Sequence, residues 1–157
     1  MSKYVIYISL PKYLSEWLTH SLGNPVTFPM GSPQNAVIRT FVKQLPQGES
    51  PDCGGEGMTA IVIPDSIAKP ASKYNYITQR GKTAVAETCK DLFLRALWTD
   101  INPLTEAPVG LNKLIAAWCE AHGIDIDRVE AVRQCFYRIR KEYCKKGINL
   151  KTSTRKK

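Results

Sequence analysis

Residues 128–157, RVEAVRQCFYRIRKEYCKKGINLKTSTRKK, decide how the C-terminal part of this chain folds. Because an α-helix has 3.6 residues per turn, apolar residues spaced three and four apart lie on one stripe of its surface. The segment therefore predicts a long helix over about residues 126–146, which is ended by Gly147 and packs one apolar side on a core. That stripe consists of Val129, Val132, Phe136, Ile139 and Tyr143.

The same thirty residues carry the charge imbalance of the whole chain. They hold eleven lysines and arginines against Glu130 and Glu142, a net charge of +9. The other 127 residues carry eleven basic and twelve acidic side chains, so the chain as a whole has a net charge of +8. On the helical wheel the cations are expected to face away from the apolar stripe or to lie at its margins. The sequence places Arg133, Arg140, Lys141 and Lys145 on the far side, and Arg128 and Arg138 nearer the margins.

A one-sided cationic helix suits a polyanionic partner, and DNA is expected before RNA. Phosphates neutralised by lysine or arginine release condensed counterions, and the arginine fork fits phosphate oxygens or a guanine edge. Binding to an acidic membrane would need exposed apolar side chains beside the lysines, whereas this stripe is committed to a core. A tail that serves only solubility or assembly remains an alternative. The expected nucleic-acid-binding residues are Arg128, Arg133, Gln134, Arg138, Arg140, Lys141, Lys145, Lys146, Lys151, Arg155, Lys156 and Lys157.

A second pattern precedes this helix, in residues 115–132 (IAAWCEAHGIDIDRVEAV). It resembles the helix-turn-helix of DNA-binding proteins, in which a first helix ends near a glycine and a second helix enters the major groove. Cys119 stands where the family favours alanine, and His122 stands where an apolar residue is expected. The long second helix is also similar to the third helix of homeodomain-like modules, although their characteristic Trp and Asn are missing. The positions that fit the core and the turn are Trp118, Gly123, Ile124, Val129 and Val132.

The resemblance implies that residues early in the second helix face the bases; here these are Asp127, Arg128, Ala131 and Gln134. Acidic residues at this entrance, including Asp125 and Glu130, would repel phosphates. The resemblance is therefore better met if the cationic C-terminal half, residues 133–146, contacts the phosphate backbone with weak sequence specificity.

The rest of the sequence predicts an α+β protein, since 43% hydrophobic and 23% charged residues are typical of globular chains. Strands are expected at residues 4–8 and 58–63, with a brief edge strand between Pro25 and Pro29. Helices are expected over residues 10–22, 32–45, 111–121 and from Thr83 to about residue 101. The predicted organisation is an N-terminal part with short strands (1–66), a connecting loop (67–82), a C-terminal three-helix part resembling a helix-turn-helix (83–147) and a basic tail (148–157).

The connecting loop contains a second set of candidate contacts. Exposed tyrosines between cations can stack unpaired bases while the charges follow the backbone. The alternative is an ordinary loop whose tyrosines pack on the domain. The residues concerned are Lys73, Tyr74, Tyr76, Arg80 and Lys82.

No pattern in the sequence predicts an enzyme, a cofactor or a metal site. Zinc sites need four ligands at short paired spacings, whereas Cys119 and His122 have no second pair nearby in sequence. Cys53 lies in a glycine-rich loop but has no sequence-adjacent base, so a nucleophilic cysteine is a remote alternative. An odd count of five cysteines favours reduced thiols.

Location and assembly are further expectations from the sequence. No apolar run approaches the roughly 20 residues that span a bilayer, so a cytoplasmic protein of a bacterium or phage is predicted. Leu94 and Trp98 add apolar surface to a second side of the helix that begins near Thr83, which could hold a homo-oligomer together. The alternative function is therefore a non-enzymatic assembly module with a basic tail.

Overall fold

A computed structural model describes residues 4–50, 54–104 and 110–145 of the chain. They form a two-stranded antiparallel sheet and five α-helices, which confirms the α+β class. The chain divides into two compact units, Met1–Lys90 and Asp91–Lys157, and the boundary falls within the third helix. The elements are β1 (Val5–Ser9), α1 (Lys12–Leu22), α2 (Pro33–Phe41), β2 (Met58–Val62), α3 (Gln79–Ile101), α4 (Leu111–Ala121) and α5 (Val129–Lys145), with short 3-10 turns at Asn102–Leu104 and Ile126–Arg128.

The sheet of the first unit pairs β1 with β2, from Val5 opposite Val62 to Ser9 opposite Met58. Alternate residues of both strands are buried, as expected for a strand with one face on a core. The edge strand predicted near residue 26 is reduced to one parallel bridge between Val26 and Ile61. Pro25 and Pro29 lack backbone N–H groups, which limits how far this segment can pair.

Helix α2 begins as predicted and ends earlier than predicted. The hydroxyl of Ser32 accepts a hydrogen bond from the Asn35 amide at 3.2 Å, which caps the helix start. The helix was expected to reach residue 45, but it ends at Phe41 and Val42 is extended. The backbone of Lys43 instead exchanges two hydrogen bonds with Tyr76, at 2.8 and 3.0 Å. This pairing removes Lys43 from the helix, an outcome that local helical spacing does not reveal.

The second unit contains the end of α3 together with α4 and α5. Its core includes the fully buried Phe93, Ile115 and Phe136. The ring of Trp118 meets Phe93 edge-on at 5.7 Å, and its indole N–H donates to Asp100 at 2.8 Å. Among the described residues, no helix is both long and apolar enough to cross a membrane.

Candidate nucleic-acid interface

A glycine turn joins α4 to α5. Gly123 adopts a φ of +74°, a conformation that favours glycine, and the amide of the buried Ile124 donates back to the Cys119 carbonyl at 2.9 Å. The Asp125 carboxylate then accepts from the Asp127 amide at 2.8 Å and starts the 3-10 turn that leads into α5. Gly123 and Ile124 thus have the local roles that the sequence pattern predicts, while the helix-turn-helix resemblance itself stays a prediction.

His122 occupies a position where the pattern expects an apolar residue, and its contacts explain how it fits there. Its ring lies 4.2 Å from the ring of Trp118, centroid to centroid. Its Nδ1 lies 2.7 Å from the Trp118 carbonyl oxygen, so the ring donates to the end of α4. The imidazole therefore contributes a flat surface and a hydrogen bond at the helix C-terminus.

One side of α5 is fixed on the core, as the apolar stripe predicts. Val132 and Phe136 of the stripe are buried and its other three residues are half-buried, while Cys135, which lies outside the stripe, is buried as well. The ring of Tyr143 lies 4.9 Å from that of the buried Trp98, which holds the last turns of the helix. The helix is therefore anchored along its length, and its other side is left to solvent.

Four cations in the second half of α5 are exposed, and they are called the cationic face below. In the described parts of the chain, no ion pair joins any of them to a carboxylate. Arg138 was expected at the margin of the apolar stripe, yet it is exposed with the others. The cationic face consists of Arg138, Arg140, Lys141 and Lys145.

Two other predicted contact residues are held by an acid of their own helix. Arg133 forms an ion pair with Glu130, and Gln134 donates to the same carboxylate at 2.9 Å. The hydrogen bond from Arg133, followed by that from Gln134, lowers the pKa of Glu130, and the same bond raises the pKa of Arg133. Arg133 was expected to face solvent without a partner. In the free protein it is instead engaged in the ion pair with Glu130.

The remaining predicted contact residues are either half-buried or lie outside the described residues. Arg128 is half-buried in the 3-10 turn and takes part in interactions of its own molecule. The other five lie outside the described residues: Lys146, Lys151, Arg155, Lys156 and Lys157.

Tyr137 is a further member of this surface that the sequence interpretation did not include. Its side chain is 38% exposed, and its hydroxyl donates to Asn112 Oδ1 at 3.3 Å. This contact places the first turn of α4 beside the middle of α5. The signal was present in the sequence, because Tyr137 stands four residues from both Arg133 and Lys141 and therefore shares their side of a helix.

The second set of candidate contacts belongs to the first unit. Tyr74 is half-buried with the Lys69 ammonium 5.9 Å from its ring centroid, and Tyr76 is half-buried beside its bridge to Lys43. Lys73 and Arg80 are exposed, whereas Lys82 is half-buried and engaged in its own molecule. The two tyrosines are thus partly packed on their own unit, so neither presents a fully open ring to unpaired bases.

Trp98, which was expected to contact a second copy of the chain, is covered by its own chain, and homo-oligomerisation itself stays a prediction. Trp98 is 6% exposed and its ring stacks on Phe136 at 5.3 Å. Leu94 is half-buried. Helix α5 of the same chain covers Trp98, so this side chain cannot contact a second copy without unpacking its own core.

The described thiols are mostly buried. Burial raises the pKa of Cys89 to about 12 and that of Cys119 to about 11, because the low-dielectric surroundings disfavour the thiolate. Among the described residues, no group of three potential metal ligands lies close together. Cys53, the remote candidate for a nucleophile, lies outside the described residues.

These environments predict selective alkylation. Cys144 is exposed and should react with iodoacetamide at pH 8, whereas Cys89 and Cys119 should react only after unfolding. Burial raises the pKa of these two thiols, so they stay protonated at that pH, and it also blocks access of the reagent. Peptide mass spectrometry after native and denatured labelling measures the difference. Equal labelling of Cys89 and Cys144 in the native protein would contradict the packing of α3.

No protein-family model, curated protein or solved structure matches this chain. Function is therefore inferred from the geometry and charge of α5.

Proposed function

We propose that this protein binds nucleic acid through the cationic face of α5, with double-stranded DNA as the first candidate. The observation that supports the proposal is a helix whose apolar side is packed on a core while Arg138, Arg140, Lys141 and Lys145 remain exposed. Because the helix that carries these cations is already packed on a core, binding does not have to order its backbone, and only the side chains lose freedom when they meet phosphates.

The dimensions of the cationic face suit a phosphate backbone. Arg138 and Lys145 are seven residues apart, which is about 10 Å along a helix axis at 1.5 Å per residue. One DNA strand presents about three phosphates over that rise. Four cations over this length are thus enough to follow one strand.

The acidic start of the helix limits how the helix can approach DNA. Asp125, Asp127 and Glu130 are exposed there and would repel phosphates. The C-terminal half is therefore the part that lies along the backbone, and recognition is mainly of charge rather than of base sequence. A regulatory or accessory protein that acts on many DNA sites fits this mode of binding.

Fluorescence anisotropy with labelled duplex DNA, single-stranded DNA and RNA of matched length, at salt concentrations from about 50 to 300 mM, tests the proposal. Three phosphate contacts give a slope of about −2.7 for log K against log salt on duplex DNA. Absence of binding to all three at the lowest salt would overturn the proposal. Light scattering on the same samples would then test the assembly alternative.

Glu130 provides a separate prediction within this function. Glu130→Gln removes a negative charge and releases Arg133 and Gln134, so we expect affinity for duplex DNA to rise about fivefold at 0.1 M salt, the worth of about one added phosphate contact. The matched control is Glu120→Gln, an exposed acid of α4 with the same change in charge. Equal gains in the two variants would show that only net charge matters, and a loss in Glu130→Gln would mean that Glu130 orients Arg133 for binding.

A further inference from the structure

The first unit contains a cavity of about 470 Å³ whose wall is mostly apolar. Its size falls within the range of small-molecule sites. Five parts of the chain contribute to it: Tyr4 just before β1, the loop after Pro25, helix α2, the end of β2 and the loop that follows β2. The buried apolar residues of its wall are Phe28, Ile63 and Ala71.

Two residues of opposite charge, Arg39 and Asp65, also line this cavity. Arg39 is half-buried in α2. Asp65 is exposed, and one of its carboxylate oxygens accepts a hydrogen bond from the Ala71 amide at 2.9 Å, which orients the carboxylate. Within the described parts of the chain, no ion pair joins these two residues to each other or to another charged group. A cation and an anion that share an apolar cavity without pairing can each bind the opposite end of a zwitterion.

We propose that the cavity binds a free α-amino acid with an apolar side chain. The carboxylate of the ligand pairs with Arg39, its ammonium pairs with Asp65, and its side chain contacts Phe28 and Ile63. A nucleotide fits less well, because Asp65 would repel its phosphates and Arg39 is the one basic residue that the described lining supplies. The proposal does not depend on nucleic-acid binding by α5.

Isothermal titration of the full chain with L-phenylalanine and L-leucine tests the proposal. A ligand of this size with two charged contacts is expected to bind with a Kd between about 10 µM and 1 mM. Phenylalanine amide lacks the carboxylate and 3-phenylpropionate lacks the ammonium, and each should bind at least about tenfold more weakly than phenylalanine. No binding of either amino acid, or equal binding of phenylalanine and both analogues, overturns the proposal.

Two variants assign the ends of the ligand. Arg39→Gln should remove the preference for phenylalanine over its amide, and Asp65→Asn should remove the preference over 3-phenylpropionate. The asparagine oxygen can still accept the Ala71 amide, so the loop is kept. Lys43→Gln, an exposed residue outside the cavity, is the control for loss of charge and should leave both preferences intact. If Asp65→Asn does not fold, Arg39→Gln decides alone, and an unchanged preference in that variant refutes the assignment.

Discussion

Simultaneous replacement of Arg138, Arg140, Lys141 and Lys145 by glutamine is expected to weaken binding to duplex DNA about 100-fold at 0.1 M salt. The same change should reduce the slope of log K against log salt by about three, because each lost phosphate contact removes about 0.9. The four side chains are exposed, so the variant with glutamine at these positions should fold with its core intact. Anisotropy titrations at several salt concentrations give both quantities.

The control for this variant changes net charge equally at another place. Lys12, Lys43, Lys90 and Arg95 are also exposed, and their replacement by glutamine lowers the net charge of +8 by the same four units. We expect the affinity of this control for duplex DNA to fall less than about threefold. Charges that do not contact the DNA act on it only at a distance, where salt screens them. Equal losses in the two variants would show that the protein binds DNA through its overall charge and that α5 is not the interface.

The elements that the sequence predicts correctly are those whose signals are local. Helix α4 begins at Leu111 and ends at Ala121 as predicted, because its apolar spacing is bounded by Gly110 and Gly123. Strands β1 and β2 follow from β-branched runs ended by breakers. In the same way, the buried stripe of α5 follows from spacing alone, so the anchored side of the candidate site was predictable.

Other features depend on partners that are distant in sequence. Helix α2 stops at Phe41 because Lys43 pairs with Tyr76, thirty-three residues further along the chain. Apolar side chains on two sides of α3 fit either a central helix or an oligomer contact, and the packing of α5 on Trp98, which local spacing does not reveal, favours the central helix. By contrast, the pairing of Glu130 with Arg133 is local and could have been predicted from their spacing of three residues.

Substitutions of Trp98 distinguish a role in the core from a role in assembly. The alanine and phenylalanine variants should differ widely in their free energy of unfolding. Trp98→Ala is expected to lower the free energy of unfolding by about 3–5 kcal/mol, because it removes the ring that packs on Phe136 and Tyr143. Trp98→Phe keeps an aromatic ring there and should cost about 1 kcal/mol or less. It also removes an indole N–H that is buried without a hydrogen-bond partner in the described structure, and an unsatisfied buried donor is itself destabilising.

Urea denaturation followed by circular dichroism measures both values, and light scattering of the folded variants measures mass. A core residue requires the large loss in Trp98→Ala, the small loss in Trp98→Phe and an unchanged mass in both. An assembly contact requires the opposite pattern, in which Trp98→Ala lowers the mass and stability depends on protein concentration. The stacking of Trp98 on Phe136 of the same chain favours the first pattern, since one ring face cannot serve both contacts. Loss of α5 packing in Trp98→Ala should also weaken DNA binding, because the cationic face is held in place through that stack.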